Sequence, residues 1–201
     1  MNRRTKQLGL LAALPILLAG CASAAATDQS SATKSMSPGM SMPGLPTKHA
    51  DRPAAAKEAG PSATAKMICG PEIRTDVAKV LALSAKPPVT ATWAHRLYTC
   101  TYRLPAGRLV ISVKESGDVP SAHAYFTTLR GNLGAGHTLR GLSALGLPAY
   151  ETTDGTVVFV KDDKTLHVDG TGLPRNAANG ESRTNLAYTV ATDILGCWNG
   201  K

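Results

Sequence analysis

The side chains with the most distinctive chemistry in this chain of 201 residues are four cysteines, at positions 21, 69, 100 and 197, and a run of methionines at 36, 40 and 42. A thiol can be alkylated, oxidised to a disulfide or held by a metal. A thioether is a soft, uncharged ligand that suits Cu(I). Met36, Met40, Met42 and His49 fall within one stretch, SMSPGMSMPGLPTKH over residues 35–49, and are candidate Cu(I) ligands. The other four histidines offer less. His95 and His167 fall in predicted strands, His123 in a helix and His137 in a loop, without HxH or HExxH spacing, so a zinc site is not expected. Asp162, Asp163 and Asp169 read as solvated acids of a turn and its exit. The stretch Gly141–Gly146 lacks GxSxG spacing, and the chain has no SxxK, P-loop or Rossmann fingerprint. The expectation is a protein that is not an enzyme.

Cys21 stands apart because of what precedes it. Residues 1–7 (MNRRTKQ) carry three cations and no acid, and residues 8–20 (LGLLAALPILLAG) are apolar. A cationic start, a short apolar run and small residues form the pattern of a secretory signal. The run falls short of the roughly 20 residues that span a bilayer, and Pro15 interrupts it. Leu18-Ala19-Gly20-Cys21 resembles the lipobox of bacterial lipoproteins. That resemblance implies cleavage before Cys21, transfer of a diacylglycerol to its thiol, and location on the extracytoplasmic face of the cell membrane. Two or more acyl chains anchor stably where one does not. GMSMPG, in turn, is similar to the methionine motifs of periplasmic copper proteins.

Cleavage would remove Arg3, Arg4 and Lys6 and no acid, lowering the net charge from +8 to +5. From residue 67 onward 14 Lys and Arg oppose 11 Asp and Glu without clustering. Nucleic acid is therefore not an expected partner. Residues 21–66 are rich in Ala, Ser, Thr, Pro, Gly and Lys and lack Val, Ile and aromatics. Such a segment buries too little apolar surface to offset its ordering entropy. It reads as a disordered tether of about 45 residues, with an r.m.s. reach of about 35–40 Å. Residues 67–201 hold both Trp, both Phe and all five Tyr, and suit one domain.

The elements of that domain follow from pattern. Pro71–Leu83 has Ile73, Val77, Val80 and Leu81 at helical spacing, with Pro71 in the first turn. Trp93–Leu104 ends in alternation, with Tyr98, Cys100, Tyr102 and Leu104 on one face. Pro105-Ala106-Gly107 turns the chain into a second strand, Arg108–Glu115. Asp118 can cap a helix over Val119–Leu133. A Gly-rich connection leads to strands at Ala149–Thr153, Thr156–Lys161 and Thr165–Asp169, with a hairpin signal at Asp154-Gly155. Arg183–Trp198 is an amphipathic helix capped by Ser182. The order α-β-β-α-β-β-β-α predicts a single α+β domain, an antiparallel sheet with packed helices.

This order, with the lipobox and the cysteine positions, resembles the small cell-envelope lipoproteins of actinobacteria, some of which have a PsbP-like fold. Export places the remaining cysteines in an oxidising compartment. The first helix rises about 18 Å, and the strand returns about 23 Å by Cys100. Cys69 and Cys100 thus come level and are the expected disulfide, with Cys69–Cys197 as the rival. Closing the Cys69–Cys100 loop contributes about 3–4 kcal/mol in the chain-entropy model. The remaining cysteine reads as a buried small hydrophobe. Three functions stay open. One is a non-catalytic domain binding an envelope protein, glycan or small ligand in a groove between sheet and helix. The others are a copper-binding or copper-delivery lipoprotein and an enzyme of unrecognised type.

Overall fold

The structure, a computed structural model, describes residues 60–177 and 180–199. Cys21, Met36, Met40, Met42 and His49 lie outside the described residues, as do the signal segment and most of the expected tether. Among the described residues, four α-helices and seven strands follow in order: α1 (Ala63–Lys66), α2 (Pro71–Val80), β1 (Val89–Ala94), β2 (Leu97–Leu104), β3 (Gly107–Glu115), α3 (Val119–Asn132), β4 (Gly136–Leu139), β5 (Ala149–Thr152), β6 (Thr156–Lys161), β7 (Lys164–Asp169) and α4 (Arg183–Asn199). The strands form one antiparallel sheet in the order β1-β2-β3-β7-β6-β5-β4. Two meanders, β1–β3 and β4–β7, therefore meet along the β3–β7 ladder. The expected α+β class is the one observed.

Register explains how the sheet divides its faces. Tyr98, Val113, Leu166 and Phe159 stand side by side across β2, β3, β7 and β6. With Cys100, Tyr102 and Ile111 they face the main core, which α2 and α4 cover. Leu186, Val190, Ile194 and Leu195 bury the inner stripe of α4, as its spacing predicts. Each such buried aliphatic contributes about 1.5–3 kcal/mol. The opposite face carries α3 over β6 and β7, where Ala122 and Phe126 meet Tyr150, Val158 and Val160. Asp118 caps α3 by accepting from the Ser121 N–H at 2.7 Å, and Ser182 caps α4 by accepting from the Asn185 N–H at 3.2 Å.

Three expectations need correction. The strand expected over Trp93–Leu104 is two strands, because the chain reverses at His95 and Arg96 with φ of 51° and 58°. Neither residue signals a tight hairpin. Tertiary bonds offset the strain: the Arg96 side chain donates to the Glu115 and Ser116 carbonyls at 2.9 and 3.0 Å. The Gly-rich connection contains β4, an edge strand paired to β5, so His137 lies in a strand, and His95 in a turn. The boundary expected at residue 67 falls inside the folded domain. Ala65 and Ile68 are fully buried, and the Ser62 N–H donates to Glu115 Oε1 at 3.1 Å. So short an Ala-rich helix owes its order to packing, which composition does not display.

The α2–α4 packing sets a pH response. Burial, and then the nearby Asp76 carboxylate, push the Asp193 carboxyl above its usual range, while Lys79 opposes them. An acid with a raised folded-state pKa destabilises the fold once ionised. The penalty is absent below the unfolded value, near pH 4, and grows as pH rises through the folded value. Asp193→Asn is expected to stabilise the domain at pH 7, by less than about 1 kcal/mol after solvent screening. The gain should vanish in urea titrations run below pH 4.

Candidate functional site

The disulfide forms between Cys69 and Cys100, with a Cα–Cα distance of 5.5 Å. It joins the short 3-10 turn Met67–Cys69 to the middle of β2. Tyr102, two residues along the same face and fully buried, donates its hydroxyl to the Ile68 carbonyl, and burial pushes its pKa far up, so it remains a neutral donor. Cys197 is buried at the end of α4 and takes no part in this disulfide. The rival pairing, Cys69–Cys197, is therefore not the one formed.

The candidate acids and histidines stay apart. Asp162 and Asp163 are paired to the adjacent Lys161 and Lys164 at 3.2 and 2.6 Å, and the Asp169 carboxylate accepts from the Thr171 N–H and hydroxyl. They are turn acids committed to local partners. His167 lies in β7 between Ser112 and Val158, and burial lowers its pKa, which keeps the ring neutral. His137 sits opposite Glu151 on the sheet edge at 3.7 Å. Among the described residues no group of three or more His, Cys, Asp or Glu could hold a metal ion.

The structure instead draws attention to one end of the sheet. There an apolar cavity of about 230 Å³ opens beside the β2–β3 hairpin. Leu81, Ala82 and Leu83, just past α2, form one wall, and Leu104, Pro105 and Ala106 form the second. Leu173, Pro174, Asn176 and Ala177 of the β7–α4 connection form the third, and the buried Leu186 of α4 supplies the base. Among the described residues of this lining, Asn176 has the one polar side chain. Such a concave apolar site with few polar groups is the usual form of a small-ligand pocket.

Backbone contacts hold the walls. Gly107 has φ of +145°, and a β-carbon there would lie 2.1 Å from the Gly172 carbonyl oxygen. That close approach lets the Arg108 N–H donate to Gly172 at 3.2 Å, which ties the hairpin to the connection. The Arg183 guanidinium donates to the Thr171 and Leu173 carbonyls at 3.3 and 3.1 Å, fixing the third wall. Pro87 accepts from Arg74 Nε at 3.1 Å, and Pro88 accepts from the Arg103 N–H at 3.0 Å. The first bond ties the segment after α2 back to that helix, and the second ties it to β2. A polar recess of about 320 Å³ lies near the start of α4. Its Arg183 is committed to the wall bonds above, and its Asp154 accepts from the Thr152 hydroxyl.

The sequence predicts a groove between sheet and helix but not its residues. The available signal is leucine beside turn residues at three element ends: Leu83, Leu104-Pro105 and Leu173-Pro174. Comparison of the chain with protein-family models, curated proteins and solved structures returns no match. Among the described residues, no helix is long and apolar enough to cross a membrane.

Proposed function

We propose that this chain is a bacterial lipoprotein, anchored at Cys21 on the extracytoplasmic face of the cell membrane. Its α+β domain serves as a non-catalytic binding module of the envelope, in line with its resemblance to small actinobacterial lipoproteins. The observation that carries the binding reading is the apolar cavity at the β2–β3 hairpin, with apolar walls from three separated segments and one polar side chain. Its lining holds no acid, base or thiol suited to catalysis. The Cys69–Cys100 disulfide supports an oxidising compartment.

Two measurements test this. Expressed in a bacterial host, the wild-type chain should incorporate radiolabelled palmitate and enter the detergent phase, and Cys21→Ser should do neither. Equal labelling of both would remove the anchor. N-phenyl-1-naphthylamine, a neutral apolar fluorophore, should brighten on binding, and Ala106→Trp, at an exposed position on the cavity rim, should abolish the enhancement. Equal enhancement in both proteins would place binding elsewhere.

A second reading rests on the methionine stretch, whose soft ligands Met36, Met40 and Met42, with His49, suit Cu(I). Competition with bicinchoninate should show Cu(I) retained by the wild type and lost in the Met36→Ala/Met40→Ala/Met42→Ala variant. Equal retention would exclude a methionine site.

A further inference from the structure

A second cavity, of about 210 Å³, adjoins the first and shares Leu83 and Pro105 as a common wall. It adds Ser84, Ala85, Lys86 and Arg103 to the lining. Each is smaller than the roughly 300–1,000 Å³ typical of small-ligand sites, and the two lie side by side. Their chemistry differs: the first lining is almost wholly aliphatic, and the second includes two exposed cations. Neither lining contains an Asp or Glu.

The backbone that carries the two cations is fixed beside the outer cavity. Lys86 precedes Pro87, which is buried and fastened by Arg74, and Arg103 is fastened through its own N–H to Pro88. Arg103 also stands directly opposite Arg108 across the β2–β3 ladder. Like charges at such a position repel. Among the described residues none of Lys86, Arg103 and Arg108 is in an ion pair. Two exposed cations, Lys86 and Arg103, neither of them in an ion pair among the described residues, thus lie beside an apolar slot. Complementarity then specifies a ligand with an apolar tail and one anionic end.

We propose that the paired cavities bind a single-chain anionic amphiphile, a long-chain carboxylate, with its acyl chain between Leu83, Leu104 and Leu186 and its carboxylate at Lys86 and Arg103. This rests on the cavity reading above and adds the head-group class to it. An exposed cationic rim attracts through a screened field, so affinity for the anion falls as salt rises.

The test compares dodecanoate with dodecanol, which share the chain and differ in charge. Both are titrated below micellar concentration into the mature chain carrying Cys21→Ser, purified without detergent. Dodecanoate is expected to bind at least about tenfold more tightly, about 1.4 kcal/mol at 25 °C. Lys86→Gln/Arg103→Gln, at exposed positions, should bring dodecanoate down to the affinity of dodecanol and leave dodecanol unchanged. Ala106→Trp should abolish both. Equal binding of the two ligands, unaltered by the double variant, would overturn the head-group assignment while leaving the cavity reading intact. Binding of neither, or binding that survives Ala106→Trp, would overturn both.

Discussion

Replacing Cys69 and Cys100 together by alanine is expected to lower the unfolding free energy by about 3–4 kcal/mol, the largest single loss the structure predicts. The two residues are 31 apart in sequence. Opening a loop of that length returns entropy to the unfolded chain of about that magnitude in the loop-closure model. For a domain whose whole stability falls within about 5–15 kcal/mol, this is a major share. The bridge also has a local role. It fastens the turn Met67–Cys69, and with it α1, to the sheet, next to the bond that Tyr102 donates to Ile68. Alanine fits the buried position of Cys100 and introduces no polar atom there. Urea unfolding should show a lower midpoint and, because the uncrosslinked denatured chain is less compact, a somewhat steeper slope. Dithiothreitol should shift the wild type to the same midpoint and leave the variant where it is. A midpoint within experimental error of the oxidised wild type would show that packing alone holds the N-terminal turn.

Gly107→Ala is expected to cost about 2–4 kcal/mol and to impair ligand binding together with stability. The φ of +145° lies where side chains are strained, at about 1–3 kcal/mol. The added methyl would also meet the Gly172 carbonyl oxygen at 2.1 Å. Backbone must then move, and the Arg108–Gly172 hydrogen bond, worth about 1 kcal/mol, is lost with it. Because that contact joins the second wall of the cavity to the third, the damage is directional. The hairpin tip separates from the β7–α4 connection while the sheet ladder beyond it persists. Hydrogen exchange should show faster amide exchange at Arg108 and Leu173, with β6 and β7 little changed. Wild-type stability with unchanged exchange at both amides would show that the two walls are independent.

Local signals are readable wherever a residue acts through its neighbours in sequence. Asp118 announces α3 because its side chain caps the helix that begins beside it. The alternation in β2 sorts Cys100 and Tyr102 from Thr99 and Thr101 because a strand has period two. The Cys69–Cys100 pairing is the one expected, but the single strand from Trp93 on which the expectation rested is broken by the reversal at His95 and Arg96, so helix and strand rise alone do not bring the two level. What the sequence hides depends on distant partners. The His95-Arg96 turn looks like continuing strand until Glu115 and Ser116 provide its hydrogen bonds. Strand β4 lacks an apolar alternation, since three of its four residues are exposed at the sheet edge. The cavity is assembled from four segments, each of which alone reads as an ordinary helix end or turn.

The disulfide joins the turn before α2 to the second strand, so both of its cysteines lie ahead of most of the sheet in sequence. Both of its cysteines precede β3, whereas Cys197 is four residues from the C-terminus. On the export reading the chain emerges N-terminus first, so Cys69 and Cys100 can meet an oxidant while Cys197 is still in transit. The helix, turn and two strands that bring them level are local structure, which forms long before the β3–β7 seam can close. By the time α4 arrives, both possible partners for its thiol are already joined to each other. On that reading, order of arrival selects one pairing from three without a proofreading step.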